Sequence, residues 1–225
     1  MSFIEQLRFN FLENSRWQFI LTGLKNTLVI SLFAVIVGII LGFLIAVVRA
    51  THDKSGKLPI LNFLCRVYLT VIRGTPMMVQ LLIVYYVIFA SVNIDKVLVA
   101  VIAFGLNSAA YVAEIIRSGI MSIDEGQTEA GRSLGLSYVK TMIHIIIPQA
   151  FRNILPALAN EFITLLKETS ICGYIALTDI THGANVIRSQ TYEPFMPLMA
   201  AALIYLIIVS LLSMGVTKLE RKLSC

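Results

Sequence analysis

Long apolar runs separated by short polar connectors set the rhythm of this chain. The first run occupies residues 20–48, and from Thr27 to Val48 it carries no charge. Further runs cover 62–90, 97–121, 151–170 and 195–216. Each approaches or exceeds the ~20 residues that a helix needs to cross the hydrocarbon layer of a bilayer. No segment shows the alternation of barrel strands, and only helices or closed barrels satisfy their backbone polar groups in hydrocarbon. The pattern therefore predicts an all-α integral membrane protein with about five transmembrane helices. Because the first run begins only near residue 19 and more spans follow, it reads as a true span rather than a cleaved leader. The second run is too long for one simple crossing and is interrupted by Arg73, Gly74, Thr75 and Pro76. Proline lacks an amide donor and glycine weakens a helix, which predicts a break with freed backbone carbonyls. In the first run, Gly38 and Gly42 form a small-xxx-small pair that lets another helix approach closely, although glycine merely tolerated in a membrane helix accounts for them equally well.

Polar residues inside the spans are not scattered. In the third run Asn107, Tyr111, Glu114 and Ser118 are spaced 4, 3 and 4, which places them on one helical face. The fourth run is the most polar: Asn160, Thr164 and Lys167 align, with Glu161 and Glu168 on the neighbouring face. Such a helix must face a bundle interior or water. Residues 1–18 carry Glu5, Arg8, Glu13, Arg16 and Trp17 among apolar residues, as an interfacial segment with an aromatic anchor would. Residues 174–194 contain Asp179, His182, Arg188 and Glu193 and are expected to form a loop with a short helix.

Composition agrees with the pattern: 57% of the 225 residues are hydrophobic, 14% are charged, and the mean hydropathy is +0.83. No stretch is left for a separate soluble domain, so residues 1–225 are expected to form one transmembrane domain. The net charge of +5 is informative mainly through its distribution. If residues 122–150 are cytoplasmic, that side holds Arg49, Lys54, Lys57, Arg66, Arg117, Arg132, Lys140, Arg152, Lys218, Arg221 and Lys222. The other side holds only Arg8, Arg16, Lys25, Lys96 and Arg188, with Arg73 and Lys167 inside spans. The positive-inside tendency thus predicts an external N-terminus and a cytoplasmic C-terminus. The basic balance speaks to topology, not to nucleic acid.

Chemistry enters mostly by exclusion. The chain has no GxxxxGK[ST] loop, GxSxG elbow or HExxH pair, so it lacks the nucleotide site and clustered catalytic set that an enzyme would need. Cys65, Cys172 and Cys225 are far apart, and neither they nor His52, His144 and His182 have metal-ligand spacing. What remains is one elaborate cytoplasmic loop. Glu129 and Arg132 sit three apart, Gly135 permits a bend, and Ser137 can cap a second short helix running from Tyr138 to Pro148. Two short helices joined at a glycine make a rigid knob able to take force from a soluble partner; an amphipathic segment resting on lipid is the alternative.

Glu129, Ala130 and Gly131, followed after three residues by Gly135 and after nine more by Ile145, Ile147 and Pro148, resemble the EAA motif of the permease subunits of bacterial ABC importers. The chain departs from that motif at Gly131, where alanine is usual, and at Ile147, where leucine is usual. Segments 73–81, 107–114, 123–127, 148–152 and 166–170 are similar to the polar amino acid uptake branch, and the likeness spans roughly residues 18–218. The resemblance implies a coupling-helix loop between spans 3 and 4, in which Glu129, Ala130, Arg132 and Gly135 dock on a separate ATPase subunit. It further implies two ATPase subunits that carry ATP and Mg, a second permease copy or a sister permease, and an extracytoplasmic amino-acid-binding protein. The chain itself would bind no cofactor, and its place would be the bacterial cell membrane.

A zwitterion crossing a bilayer needs donors for its carboxylate and acceptors for its ammonium. The expected lining of the substrate pathway is therefore Arg73, Gly74, Thr75, Pro76, Gln80, Asn107, Tyr111, Glu114, Glu161, Thr164 and Lys167. Two intramembrane glutamates lean towards a cationic amino acid. A stand-alone secondary transporter of small polar solutes is the alternative, disfavoured by the lack of an obvious internal repeat and by the docking-type loop.

Overall fold

The computed structural model describes residues 2–223, so Cys225 lies outside the described residues. Helix α1, Phe3–Leu7, opens on a capping box between Ser2 and Glu5, and two irregular turns then lead to α2, Trp17–Ser55. The entry segment does not simply rest on the bilayer surface. Its Asn10 is buried and donates to Glu193 at 3.0 Å, and Arg16 donates to Gln190 at 3.2 Å. Helix α2 stops at Gly56, whose left-handed φ of +66° suits glycine and whose N–H closes the last turn on the His52 carbonyl.

Helix α3, Pro59–Gly74, starts on a proline at its first turn, where the missing N–H is not needed. It is followed by α4, Met77–Ile83, which continues through a wider π-helical turn, Val84–Ile88. The two axes differ by 112° across Thr75 and Pro76. Asp95 caps α5, Lys96–Met121, by accepting from the N–H groups of Val97 and Leu98. Then come α6, Glu125–Ser133; α7, Tyr138–Thr141; α8, Ile147–Glu168; α9, Ile180–Thr191; and α10, Phe195–Leu223.

Trp17–Ser55, Lys96–Met121, Tyr138–Ile175 and Phe195–Leu223 are each long and apolar enough to span a membrane, and the bent α3–α4 pair makes a fifth. The fourth span differs from the expected one. Instead of a short helix ending at Pro148 and a new span from 151, α7 runs through a π-helical turn, Met142–Ile146, straight into α8. Pro148 sits in the first turn of α8, and the widened turn before it accommodates the ring.

The centre of the bundle is α2 against α5. A Cβ on Gly38 would lie 2.6 Å from Ser108 Oγ, and one on Gly42 would lie 2.7 Å from Val112 Cγ1, so both glycines mark true close approach. Around this contact Ile30, Ala34, Leu81, Phe104 and Leu165 are fully buried. The ends of the bundle are distinct. At one, Asn26 and Lys96 bind carbonyls of the connector before α9. At the other, Lys54 of α2 stacks on Tyr138 and Asn153 of α8 donates to Ser122, bringing the 122–137 loop beside the C-terminal ends of α2 and α5.

Candidate functional site: a polar seam and a protruding loop

The break between α3 and α4 is the first component. Thr75 is extended, as a residue before proline prefers, and this stops the helical ladder. The expected free carbonyls are not free. Gln80 Nε2 donates to the Ile72 carbonyl at 2.7 Å and to the Thr75 carbonyl at 3.0 Å, while Gln80 Oε1 accepts from Asn107 Nδ2 at 2.9 Å. One buried amide thus satisfies two carbonyls of the break and ties it to α5, sparing them the cost of going unpaired. Arg73, Gly74, Thr75 and Pro76 remain exposed around it.

Glu161 is the second component. It is only 9% exposed and accepts from Ser108 Oγ at 2.8 Å, a partner that sequence reasoning missed although it adjoins Asn107. Among the described residues no Lys or Arg forms an ion pair with Glu161, whereas Glu114 is held by both Arg73, at 3.6 Å, and Arg117. The two glutamates therefore have different surroundings: Glu114 is neutralised by guanidinium groups, and Glu161 has no such partner among the described residues. Tyr111, Thr164 and Lys167 are brought into neither cluster; they lie exposed on the surface of α5 and α8, where Thr164 Oγ1 donates to the Asn160 carbonyl at 3.1 Å. An uncovered polar stripe on spanning helices does not suit lipid and requires another polar surface or water.

The third component is the loop. Asp124 caps α6 by accepting from the Gly126 N–H at 2.7 Å, and Ser137 caps α7 by accepting from the Lys140 N–H at 3.4 Å. Between them Gly135 adopts φ +78°, a left-handed conformation costly for residues with a Cβ. Gly131 has a different reason to be glycine. It is buried against α7, and a Cβ there would lie 2.7 Å from Thr141 Cγ2, which accounts for glycine where the EAA motif has alanine. Glu129, Ala130 and Arg132 face outward on α6, and Leu134 at the tip is 80% exposed. The loop is a packed two-helix knob presenting an apolar residue among charges, as the bend at Gly135 predicts.

Asp179 was also missed. It is fully buried, accepts from the N–H groups of Thr181 at 2.6 Å, His182 at 3.0 Å and Gly173 at 3.0 Å, and thereby caps α9. Burial pushes its carboxyl above the usual aspartate range, against the pull of those three donors. An aspartate two residues before a threonine at a helix start is a legible capping signal. Cys65 and Cys172 are buried free thiols.

Residues 34–224 match the family described as binding-protein-dependent transport system inner membrane component. The chain is 42% identical over 207 residues to the arginine transport system permease protein ArtQ of Bacillus subtilis, covering 91% of this chain and 92% of that one. It is 37% identical over 213 residues to the L-cystine transport system permease protein TcyB of the same organism, covering 94% and 89%. Among solved structures, an amino acid ABC transporter crystallised with histidines has a chain that is 38% identical and superposes with a TM-score of 0.87 over 99% of both chains. The inward-facing MetNI methionine ABC transporter shares the fold, with a TM-score of 0.75 at 15% identity over 92% of this chain and 97% of that one. With the broken second span, the polar seam and the protruding knob in place, the chain belongs to the binding-protein-dependent transport system inner membrane components, the permease subunits of ABC importers.

Proposed function

We propose that this permease imports a cationic amino acid. The observation that carries the reading is Glu161: a buried carboxyl bound to one serine, without a basic ion-pair partner among the described residues, beside the exposed polar stripe of α5 and α8. Two copies of the chain, or one copy and a sister permease, meet across that stripe and enclose a pathway lined by Tyr111, Thr164, Lys167 and Glu161. Gln80 and Asn107 hold the broken helix at its wall. Arg73 and Glu114 stand at the loop end of the pathway as a neutralised pair. The printed name of the ArtQ relative, an arginine transporter, points the same way.

The work is done elsewhere. The knob of α6 and α7, with Glu129, Ala130, Arg132 and Gly135, docks on an ATPase subunit that carries ATP and Mg, and an extracytoplasmic binding protein delivers the substrate. Closure of the ATPase dimer draws the two knobs together, and because α7 continues into α8 the pull reaches Glu161 along one helix. The distribution of Lys and Arg supports a cytoplasmic knob and C-terminus with the N-terminus outside. In proteoliposomes containing the ATPase and binding protein, Glu161→Gln is expected to cut arginine uptake at least tenfold, and Glu114→Gln to cut it less. Unchanged arginine uptake by Glu161→Gln overturns the assignment. Arginine failing to compete while glutamine or cystine does overturns the substrate class.

A further inference from the structure

The loop end of α2 and the polar flank of α3 enclose a concavity of about 380 Å³ lined by Arg49, Arg66, Leu69, Thr70 and Arg73. Three guanidiniums converge there. Arg73 is 3.6 Å from Glu114, a carboxylate already shared with Arg117. Among the described residues neither Arg49 nor Arg66 has an ion-pair partner, and the buried Arg49 Nε has no hydrogen-bond acceptor. Asp53, one turn beyond Arg49, lies 3.7 Å from His52. A fixed cluster of like charges with a buried, unused donor is unfavourable unless an anion completes it.

The position of α3 limits what that anion is. Its Asn62, Cys65 and Leu69 face inward, whereas Ile60, Phe63, Leu64, Val67 and Val71 form an exposed apolar stripe at helical spacing. Arg66, Thr70 and Arg73 make a third, polar flank beside that stripe. As the first half of a span, a helix with this division turns its apolar stripe to hydrocarbon and carries its basic flank towards the head groups at the loop end. Planar guanidiniums bind phosphoryl oxygens in a forked geometry, whereas the Thr70 hydroxyl donates to the Arg66 carbonyl at 2.9 Å and only lines the rim.

We propose that Arg49, Arg66 and Arg73 form a phosphoryl-binding site, occupied by the head group of an anionic phospholipid or by free phosphate. The lipid source rests on the cytoplasmic assignment of the loop end made above; the chemistry of the site does not. The assembled transporter is purified in mild detergent and examined by native mass spectrometry after exposure to phosphatidylglycerol or phosphatidylcholine, and phosphorus NMR follows inorganic phosphate added alone. Wild type is expected to retain phosphatidylglycerol in preference to phosphatidylcholine. Arg66→Gln should weaken retention about fivefold, the equivalent of ~1 kcal/mol per basic residue near an anionic surface. Arg49→Gln combined with Arg66→Gln should weaken it further, while Arg188→Gln at the opposite end leaves it unchanged. Arg66 is exposed, so Arg66→Gln alone keeps the comparison valid if Arg49→Gln impairs folding. Lipid retained against millimolar phosphate assigns the lipid as ligand; a phosphate signal abolished by Arg66→Gln without lipid preference assigns soluble phosphate. Equal retention of both lipids and no phosphate signal, or equal losses from Arg188→Gln, overturn the site. Protease access to a C-terminal tag in right-side-out vesicles tests the orientation independently.

Discussion

Replacing Gly38 with alanine adds one methyl group at the tightest point between α2 and α5. Its carbon would sit 2.6 Å from Ser108 Oγ, 2.8 Å from Ser108 Cβ and 3.3 Å from the Ser108 carbonyl carbon. Since non-bonded carbons are comfortable only beyond ~3.5 Å, the helices must part or Ser108 must turn away. Overpacking of this kind costs ~1–3 kcal/mol. Ser108 also donates to Glu161 at 2.8 Å, so a displaced hydroxyl leaves a buried carboxyl without its donor at a further ~1–3 kcal/mol. The combined loss is at least ~2 kcal/mol, and at ~2–4 °C per kcal/mol for a chain of this size the midpoint should fall by ~4 °C or more. Dye labelling of the buried thiols Cys65 and Cys172 during heating, in a Cys225→Ser background, reads that midpoint. Uptake in proteoliposomes should fall about tenfold, which corresponds to ~1.4 kcal/mol. Adding Ser108→Gly makes room again but supplies no donor: the midpoint should recover only the overpacking part of the loss and uptake should not recover. A Gly38→Ala protein with an unchanged midpoint and normal uptake refutes the close-packing argument, and normal uptake by the double variant refutes the role of Ser108 at Glu161.

Leu134→Asp changes the exposed tip of the knob, so the permease's own midpoint should stay within ~1 °C, as for most surface substitutions. Uptake and co-purification of the ATPase subunit should nevertheless fall sharply; intact co-purification contradicts the docking role. Gly135→Val forces a β-branched residue to φ +78° and should cost ~1–3 kcal/mol, seen as faster proteolysis confined to residues 122–140. Asp179→Asn keeps the shape of the α9 cap but removes a charge. Burial raises the folded-state pKa of Asp179 above 3.8, so the native state binds the proton more readily. Its contribution to stability is then fully present below the unfolded pKa and is lost as pH rises through the folded value. The difference in midpoint between wild type and Asp179→Asn should move against wild type over that rise; a pH-independent difference rules the linkage out.

Much of the architecture was legible because a bilayer removes choices. An apolar run in hydrocarbon has to become a helix, so the five spans could be placed from hydropathy alone, and Pro76 located the break because proline can neither donate nor continue the ladder. The knob was legible too, since Gly135 and Ser137 act through local backbone chemistry. The start of span 4 was misplaced because Pro148 reads as a stop, whereas a π-helical turn before it absorbs the proline, and such turns have no sequence signature.

Partnership was not legible. Helical spacing put Asn107, Glu114 and Glu161 on polar faces, yet it could not say that Gln80 already occupies Asn107 and the carbonyls of the break. Nor could it say that Arg73 and Arg117 neutralise Glu114 while Ser108 donates to Glu161. By itself, the sequence determined which segments cross the membrane, where the helices bend and which loop protrudes, all set by neighbours within a few residues and by the solvent on either side. Only the tertiary structure decided which polar side chains are spent on one another, because hydrogen bonds and ion pairs between helices depend on distances that no one-dimensional pattern contains.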